Sequence, residues 1–112
     1  MAVYVDDMHL SPMGRFHGMK MCHMIAEDEG ELHRMAGRIG LELRRFQGDH
    51  CDVPAAKRTL AVAYGALEIT MRELAALAFL RRIGQPMGEP RAQREAFRSC
   101  RSDQLLPGHQ KT

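Results

Sequence analysis

The chain has no tryptophan and few other aromatic residues, with two Tyr and four Phe among 112 residues. Nine methionines and many alanines must therefore fill much of the interior, and methionine packs irregular gaps but specifies a core loosely. No apolar run approaches the roughly 20 residues that a membrane-spanning helix needs. The first residues also lack the basic and apolar regions of a signal peptide. We therefore expect a cytoplasmic protein without a membrane partner.

Cysteine is also scarce. Cys22, Cys51 and Cys100 form an odd, widely spaced set, which is not a disulfide framework and is consistent with a reducing compartment. No paired-cysteine pattern is present, which argues against a structural zinc site. A glycine-rich phosphate loop, a G-x-S-x-G elbow and an H-E-x-x-H motif are also missing. Their absence argues against nucleotide kinases, serine hydrolases and zincins.

Charge is distributed unevenly along the chain. Residues 1–70 hold 8 Lys and Arg against 10 Asp and Glu, a net −2, whereas residues 71–112 hold 8 against 4, a net +4. We expect a single α/β domain over residues 1–84. We expect residues 85–112 to be a basic, partly flexible extension that contains Pro, Gly and Arg. Such an extension either contacts nucleic acid or an acidic partner, or is a solvated tail.

Apolar and β-branched segments predict four strands. They lie at about 2–5, 19–26, 41–47 and 66–69. The segments between them are rich in Gly, Pro or polar residues, which predicts loops at about 9–18 and 48–52.

Capping residues mark the starts of three predicted helices. Asp28 with Glu31 predicts the first, whose apolar residues recur at i, i+3, i+4 and i+7 before Gly40. Asp52 is expected to cap the second, and Thr70 begins a capping box for the third, which runs to about residue 83. The order β-β-α-β-α-β-α predicts a small α/β sandwich of about four mostly parallel strands and about three helices.

Carboxylates follow the first predicted strand. Asp6 and Asp7 come directly after Val3-Tyr4-Val5, and open α/β sheets bind ligands beyond the carboxyl ends of their strands. Asp6, Asp7 and Asp52 are candidate ligands for Mg²⁺ or Mn²⁺, and Asp7 is also a candidate catalytic base. The alternative is a strand end where aspartate caps a turn.

Three histidines are candidates for chemistry. His23 lies mid-strand and is either a hydrogen-bonded core residue or a group with a metal-ligand or catalytic acid–base role. His50 forms an H-x-D pair with Asp52, which suits a transition metal or a proton relay, or else the pair only caps a helix and meets solvent. His33 lies on a predicted helix face and is a candidate supporting residue.

Two cations lie in the first turns of the second predicted helix. Lys57 and Arg58 are candidate phosphate ligands, because a helix N-terminus offers free N–H groups and positive potential. The alternative is a solvated helix face. Glu68 lies inside a predicted strand and needs either exposure or a cationic partner, for which Lys57 or Arg58 is suited.

Several motifs occur in an order that resembles one family, the bacterial and phage domain-of-unknown-function family 4031. They are VYVDDM at 3–8, MCHMIA at 21–26, ELH at 31–33, RIG at 38–40, His50-x-Asp52, Lys57-Arg58 and Gly65-Ala66-x-Glu68-Ile69. The resemblance covers roughly residues 1–70. It implies a small cytosolic α/β domain without an established activity, and it includes the same polar positions named above. Cys51 replaces the aromatic residue usual between the histidine and the aspartate.

These residues support three hypotheses of function. The first is metal-assisted phosphoester chemistry on a nucleotide or nucleic acid. The second is a non-catalytic module that binds a phosphorylated ligand or a host or phage protein. The third is an oligomerisation domain whose methionine- and alanine-rich faces form a homodimer.

Overall fold

A computed structural model describes residues 2–95, apart from the side chain of Leu43. In chain order the elements are strands β1 (Val3–Val5), β2 (Arg15–Phe16) and β3 (Met19–Ala26), helix α1 (Glu29–Arg38), strand β4 (Cys51–Pro54), helix α2 (Ala55–Ala63), strand β5 (Leu67–Glu68) and helix α3 (Met71–Arg82). Short 3-10 turns lie at Met8–Leu10, Pro12–Gly14 and Leu43–Arg45, and residues 90–95 are helical. The fold is mixed α/β, which confirms the predicted class.

The sheet is centred on β3, which pairs antiparallel with β1, β2 and β4. Among the described strands only β1 and β5 run parallel. The prediction of a mostly parallel sheet is therefore wrong. Antiparallel neighbours need no crossover helix, and the segment between β1 and β3 supplies only short turns and the two residues of β2.

The predicted strand at 41–47 and the predicted loop at 48–52 are both wrong. The strand expected at 41–47 is a loop with a 3-10 turn, whereas β4 occupies part of the loop expected at 48–52. In β4, Cys51 and Val53 are fully buried while Asp52 faces the other way, which is period-two alternation over very few residues. Pro54, not Asp52, is the N-cap residue of α2.

Capping residues set the starts of the other two helices, with Asp28 as the N-cap of α1, while the Glu31 side chain, expected to reach back to Asp28, pairs with Arg34. The Glu31 backbone N–H donates to Asp28 Oδ1 over 2.7 Å at the start of α1. Gly40 follows the helix at φ +69°, a left-handed conformation that glycine adopts without strain. At α3, Thr70 and Glu73 form the reciprocal capping box.

Each face of the sheet carries its own apolar cluster. On one face, alternate residues of β1, β3 and β4 pack against α1 and α2, and we call this the α1/α2 face. On the other, Tyr4 and Ile25 pack against Leu74 and Leu77 of α3, and we call this the α3 face. Met87 is buried in the same cluster, so the chain beyond α3 contributes to the core. No helix among residues 2–95 is long and apolar enough to cross a bilayer.

Candidate metal centre

Three polar residues form a row across three neighbouring strands. His23 of β3 pairs directly with Asp52 of β4. The Asp6 backbone N–H donates to the His23 carbonyl over 3.0 Å, which extends the β1–β3 register by one residue. Residues directly opposite each other share a face of the sheet, so Asp6, His23 and Asp52 lie side by side on the α3 face.

Asp6 holds the imidazole of His23 in one orientation. The carboxylate is only 1% exposed, and a buried carboxylate needs hydrogen-bond donors. His23 Nδ1 lies 2.9 Å from Asp6 Oδ2, and the backbone N–H groups of His23 and Met8 donate to Asp6 Oδ1 over 2.8 and 3.2 Å. The hydrogen bond to Asp6 raises the pKa of His23 and outweighs burial, which would lower it. Among residues 2–95, the Asp6 contact uses only Nδ1 of His23, so Nε2 can take another partner.

His50 is oriented in the same manner by a different carboxylate. Its Nδ1 lies 3.0 Å from Asp49 Oδ1, and Arg82 Nε donates to Asp49 Oδ2 over 2.8 Å. Burial would raise the pKa of Asp49, but hydrogen bonds from His50 and Arg82 outweigh it and hold the pKa below its ordinary value. Asp49 is therefore ionised at neutral pH, and His50 Nε2 faces Asp52.

The donor atoms of His23, His50 and Asp52 converge. One ligand atom from each lies within 4.8 Å of the others, and His50 Nε2 is 3.8 Å from Asp52 Oδ1. The two imidazole rings are 5.1 Å apart. Metal-binding histidines characteristically donate their second ring nitrogen to a carboxylate, as Asp6 and Asp49 allow here. Two imidazoles and one carboxylate suit Zn²⁺, Mn²⁺ or Fe²⁺.

A groove of about 300 Å³ opens beside these donors. Strand β3 supplies His23, the ends of β1 and of the loop before β4 supply Asp6 and His50, and the loop after β1 supplies Met8 and Met13. Helix α3 forms the facing wall, with Met71, Leu74, Ala75, Ala78 and Arg82. The side chains of His23 and His50 therefore share the groove with a largely apolar helix surface that ends at Arg82.

A family model described as "Protein of unknown function (DUF4031)" matches residues 3–81. The chain belongs to this family. The match confirms the resemblance and extends it through nearly all of α3, beyond the region ending near residue 70 that the motifs alone indicated. Searches of curated proteins and of solved structures found no match. The DUF4031 match thus includes every residue that lines the groove except Arg82.

Asp7 occupies a different place from its neighbour in this DUF4031 chain. Its Oδ1 accepts from the Met71 backbone N–H over 3.0 Å at the start of α3. It lines a second cavity of about 320 Å³ together with His9 and Arg58. Asp6 and Asp7 therefore line different cavities. Their joint coordination of one cation stays a prediction, which this geometry does not favour.

Arg58 joins the ends of two strands to α2. Its Nε donates to the Asp6 carbonyl over 2.8 Å, and its Nη1 donates to Glu68 over 3.0 Å. Glu68 is 60% exposed on its side chain and still pairs with Arg58, one of the two predicted partners. The Lys57 ammonium lies near Gly40. Within residues 2–95 neither cation lines the groove, and phosphate binding by them stays a prediction.

His33 and Cys51 both lie away from the converging donors. His33 is exposed on α1, where its ring stacks on Phe46 at 4.4 Å. Since α1 covers the opposite face of the sheet, His33 is a helix-face residue. Cys51 is 0% exposed on that same α1/α2 face, and burial raises the pKa of its thiol to about 12. The thiol therefore points away from His50 and Asp52.

Two residues of the site are missing from the sequence predictions. Asp49 directly precedes His50, and an Asp-His-x-Asp string carries a detectable signal of a carboxylate beside an imidazole. Arg82 carries none, because it meets Asp49 across 33 positions of the chain through the packing of α3.

Proposed function

We propose that this DUF4031 protein binds a divalent metal through His23, His50 and Asp52 and uses it to hydrolyse a phosphoester of a nucleotide or nucleic acid. The observation that carries the proposal is the convergence of three donor atoms within 4.8 Å. Both histidines have Nδ1 on a carboxylate, which leaves Nε2 of each ring as the nitrogen for a metal.

The donor set indicates the kind of metal and of site. Mg²⁺ prefers oxygen ligands and keeps much of its water, whereas imidazoles suit Zn²⁺ or Mn²⁺. Structural zinc sites use four protein ligands, whereas catalytic sites use three and leave a position for water or substrate. His23 and His50 line an open groove, and Asp52 lies within reach of both, so the three donors fit the catalytic arrangement.

Such a site has the parts that phosphoester hydrolysis needs. A bound cation polarises a phosphoryl oxygen and lowers the pKa of a coordinated water. The water oxygen bonds to phosphorus, the bond from phosphorus to the leaving oxygen breaks, and a proton from the water passes to that oxygen. Asp6 and Asp49 hold the imidazoles in place. Arg82 is 62% exposed on its side chain and offers positive charge at one end of the groove.

Turnover with and without metal tests the proposal. The chain, stripped with a chelator and reloaded with Zn²⁺ or Mn²⁺, is assayed on mononucleotides, aryl phosphates and short oligonucleotides. We expect activity only in the reloaded protein. His50→Ala should reduce this activity at least about 100-fold. Loss of a residue that only orients a metal ligand costs about 10- to 100-fold, and loss of the ligand itself should cost no less. His33→Ala is the matched control and should retain activity.

Three other outcomes are informative. Turnover that survives chelation and His50→Ala would contradict the metal mechanism and favour the Asp6–His23 pair as a metal-free base. Metal binding without turnover of any phosphoester would favour the non-catalytic binding module. Equal losses in His50→Ala and His33→Ala would show that the effect is not specific to the site.

A further inference from the structure

The wall of the groove opposite the histidines is a single stripe of α3. Met71, Leu74, Ala75 and Ala78 recur at i, i+3, i+4 and i+7, which places them on one side of the helix. Arg82 extends the stripe by one more turn. Although Leu74 and Ala78 are buried beneath, Ala75 is exposed, so part of this stripe faces the groove and not the core.

Methionines dominate the rest of the apolar lining. Met8 and Met13 lie on the loop after β1, and Met71 lies at the start of α3. Met13 is 75% exposed although it lines the groove. Methionine is flexible and polarisable, and its sulfur makes favourable contacts with aromatic rings. An exposed apolar groove edged by polar residues is a characteristic ligand-binding surface.

Size and charge restrict the ligand. About 300 Å³ lies at the small end of the range for small-molecule pockets, which is roughly 300–1,000 Å³. A nucleic-acid strand needs a row of cations along its backbone, and Arg82 is the only Lys or Arg among the described residues that line the groove. The surface is therefore suited to a single anionic group with an apolar body.

We propose that the site takes a small phosphoester with an aromatic ring, with the size of a mononucleotide and not of a polymer. The ring lies between the methionines and the α3 stripe. The phosphate lies over His23 and His50, with Arg82 at the end of the groove. This inference rests on the proposed function, because the phosphate needs the cation held by His23, His50 and Asp52.

Two non-hydrolysable phosphonates test the inference on the full chain loaded with Zn²⁺ or Mn²⁺. By titration calorimetry we expect phenylphosphonate to bind at least about tenfold more tightly than methylphosphonate, because the phenyl ring buries apolar surface. Ala75→Phe fills the groove and should abolish this preference. Ala63→Phe makes the same change at another exposed helical alanine, outside the groove, and should preserve it.

A second variant guards against misfolding of Ala75→Phe. Met13→Ser alters an exposed side chain and should weaken phenylphosphonate binding several-fold while methylphosphonate binding stays unchanged. Equal affinity for the two phosphonates in a metal-loaded chain would overturn the substrate class and leave the proposed function intact. The substrate class would also be overturned if a single-stranded oligonucleotide bound more tightly than a mononucleotide. A chain that binds neither Zn²⁺ nor Mn²⁺ contradicts the proposed function itself.

Discussion

Adjacent residues at the end of β1 have separate partners. Asp6 is buried against His23, whereas Asp7 accepts from the first backbone N–H of α3. A strand directs successive side chains to opposite sides, so a pair of neighbouring carboxylates rarely serves one site. Both residues are candidates from the sequence because they are carboxylates that follow a predicted strand. Only the register of β1 against β3 shows which of them meets the imidazole.

The Asp6–His23 contact predicts a measurable change in titration. In the metal-free protein the pKa of His23 lies above its ordinary value, chiefly because of the hydrogen bond to Asp6. Asp6→Asn should lower it, as followed by NMR of the histidine ring protons across pH. Asp7→Asn is the control and should leave the pKa of His23 unchanged.

The same contact makes stability depend on pH. Since folding favours protonated His23, the Asp6–His23 pair stabilises the fold below pH about 6.5. That contribution is lost as pH rises through the folded pKa.

The two described cysteines should be unreactive in the folded chain. Cys22 and Cys51 are fully buried, and burial raises both thiol pKa values to about 12. In a Cys100→Ser background, Ellman's reagent at pH 8 should label neither thiol until guanidinium unfolds the protein. Rapid labelling of Cys51 under native conditions would contradict the assignment of its side chain to the α1/α2 face.

At the level of elements, the sequence predicts helices better than strands. Capping residues mark the starts of α1 and α3, and in α1 a 3.6-residue apolar period over ten residues adds a second signal. Strand β4 has four residues and two inward positions, too few for a period to stand out. It exists because β3 offers it a free edge, which is a tertiary cause without a local signature.

The capping box of α3 should carry a measurable share of stability. Thr70→Ala removes the acceptor of the Glu73 backbone N–H and should lower the free energy of unfolding by about 1 kcal/mol in urea titrations. Thr59→Ala alters an exposed threonine inside α2, and we expect a change within about 0.5 kcal/mol. Equal effects of the two substitutions would contradict the capping role of Thr70.

At the level of the whole molecule, the candidate site joins β1, β3, β4 and α3. The sequence predicted its histidines and two of its carboxylates, Asp6 and Asp52. It could not predict that Lys57 and Arg58 lie outside the groove, because that depends on how α2 packs. The predicted homodimer stays a prediction, which light scattering can test.

A metal that joins β3 to β4 and to the loop residue just before β4 should stabilise the whole fold. Binding to the folded state alone adds about 2.7 kcal/mol when free metal is at 100 times its Kd. We expect Zn²⁺ or Mn²⁺ to raise the Tm of the chain, and Asp52→Asn to lose most of that increase. Glu29→Gln, on the far side of α1, should keep it. An equal rise in both variants would point to metal binding elsewhere.

X-ray absorption of the zinc-loaded protein tests the central claim most directly. With His23, His50 and Asp52 as ligands, the first shell should contain only nitrogen and oxygen at about 2.0–2.2 Å, with scattering from two imidazoles. His50→Ala should remove one imidazole from that shell. A sulfur at about 2.3 Å, or two imidazoles that persist in His50→Ala, would contradict the account.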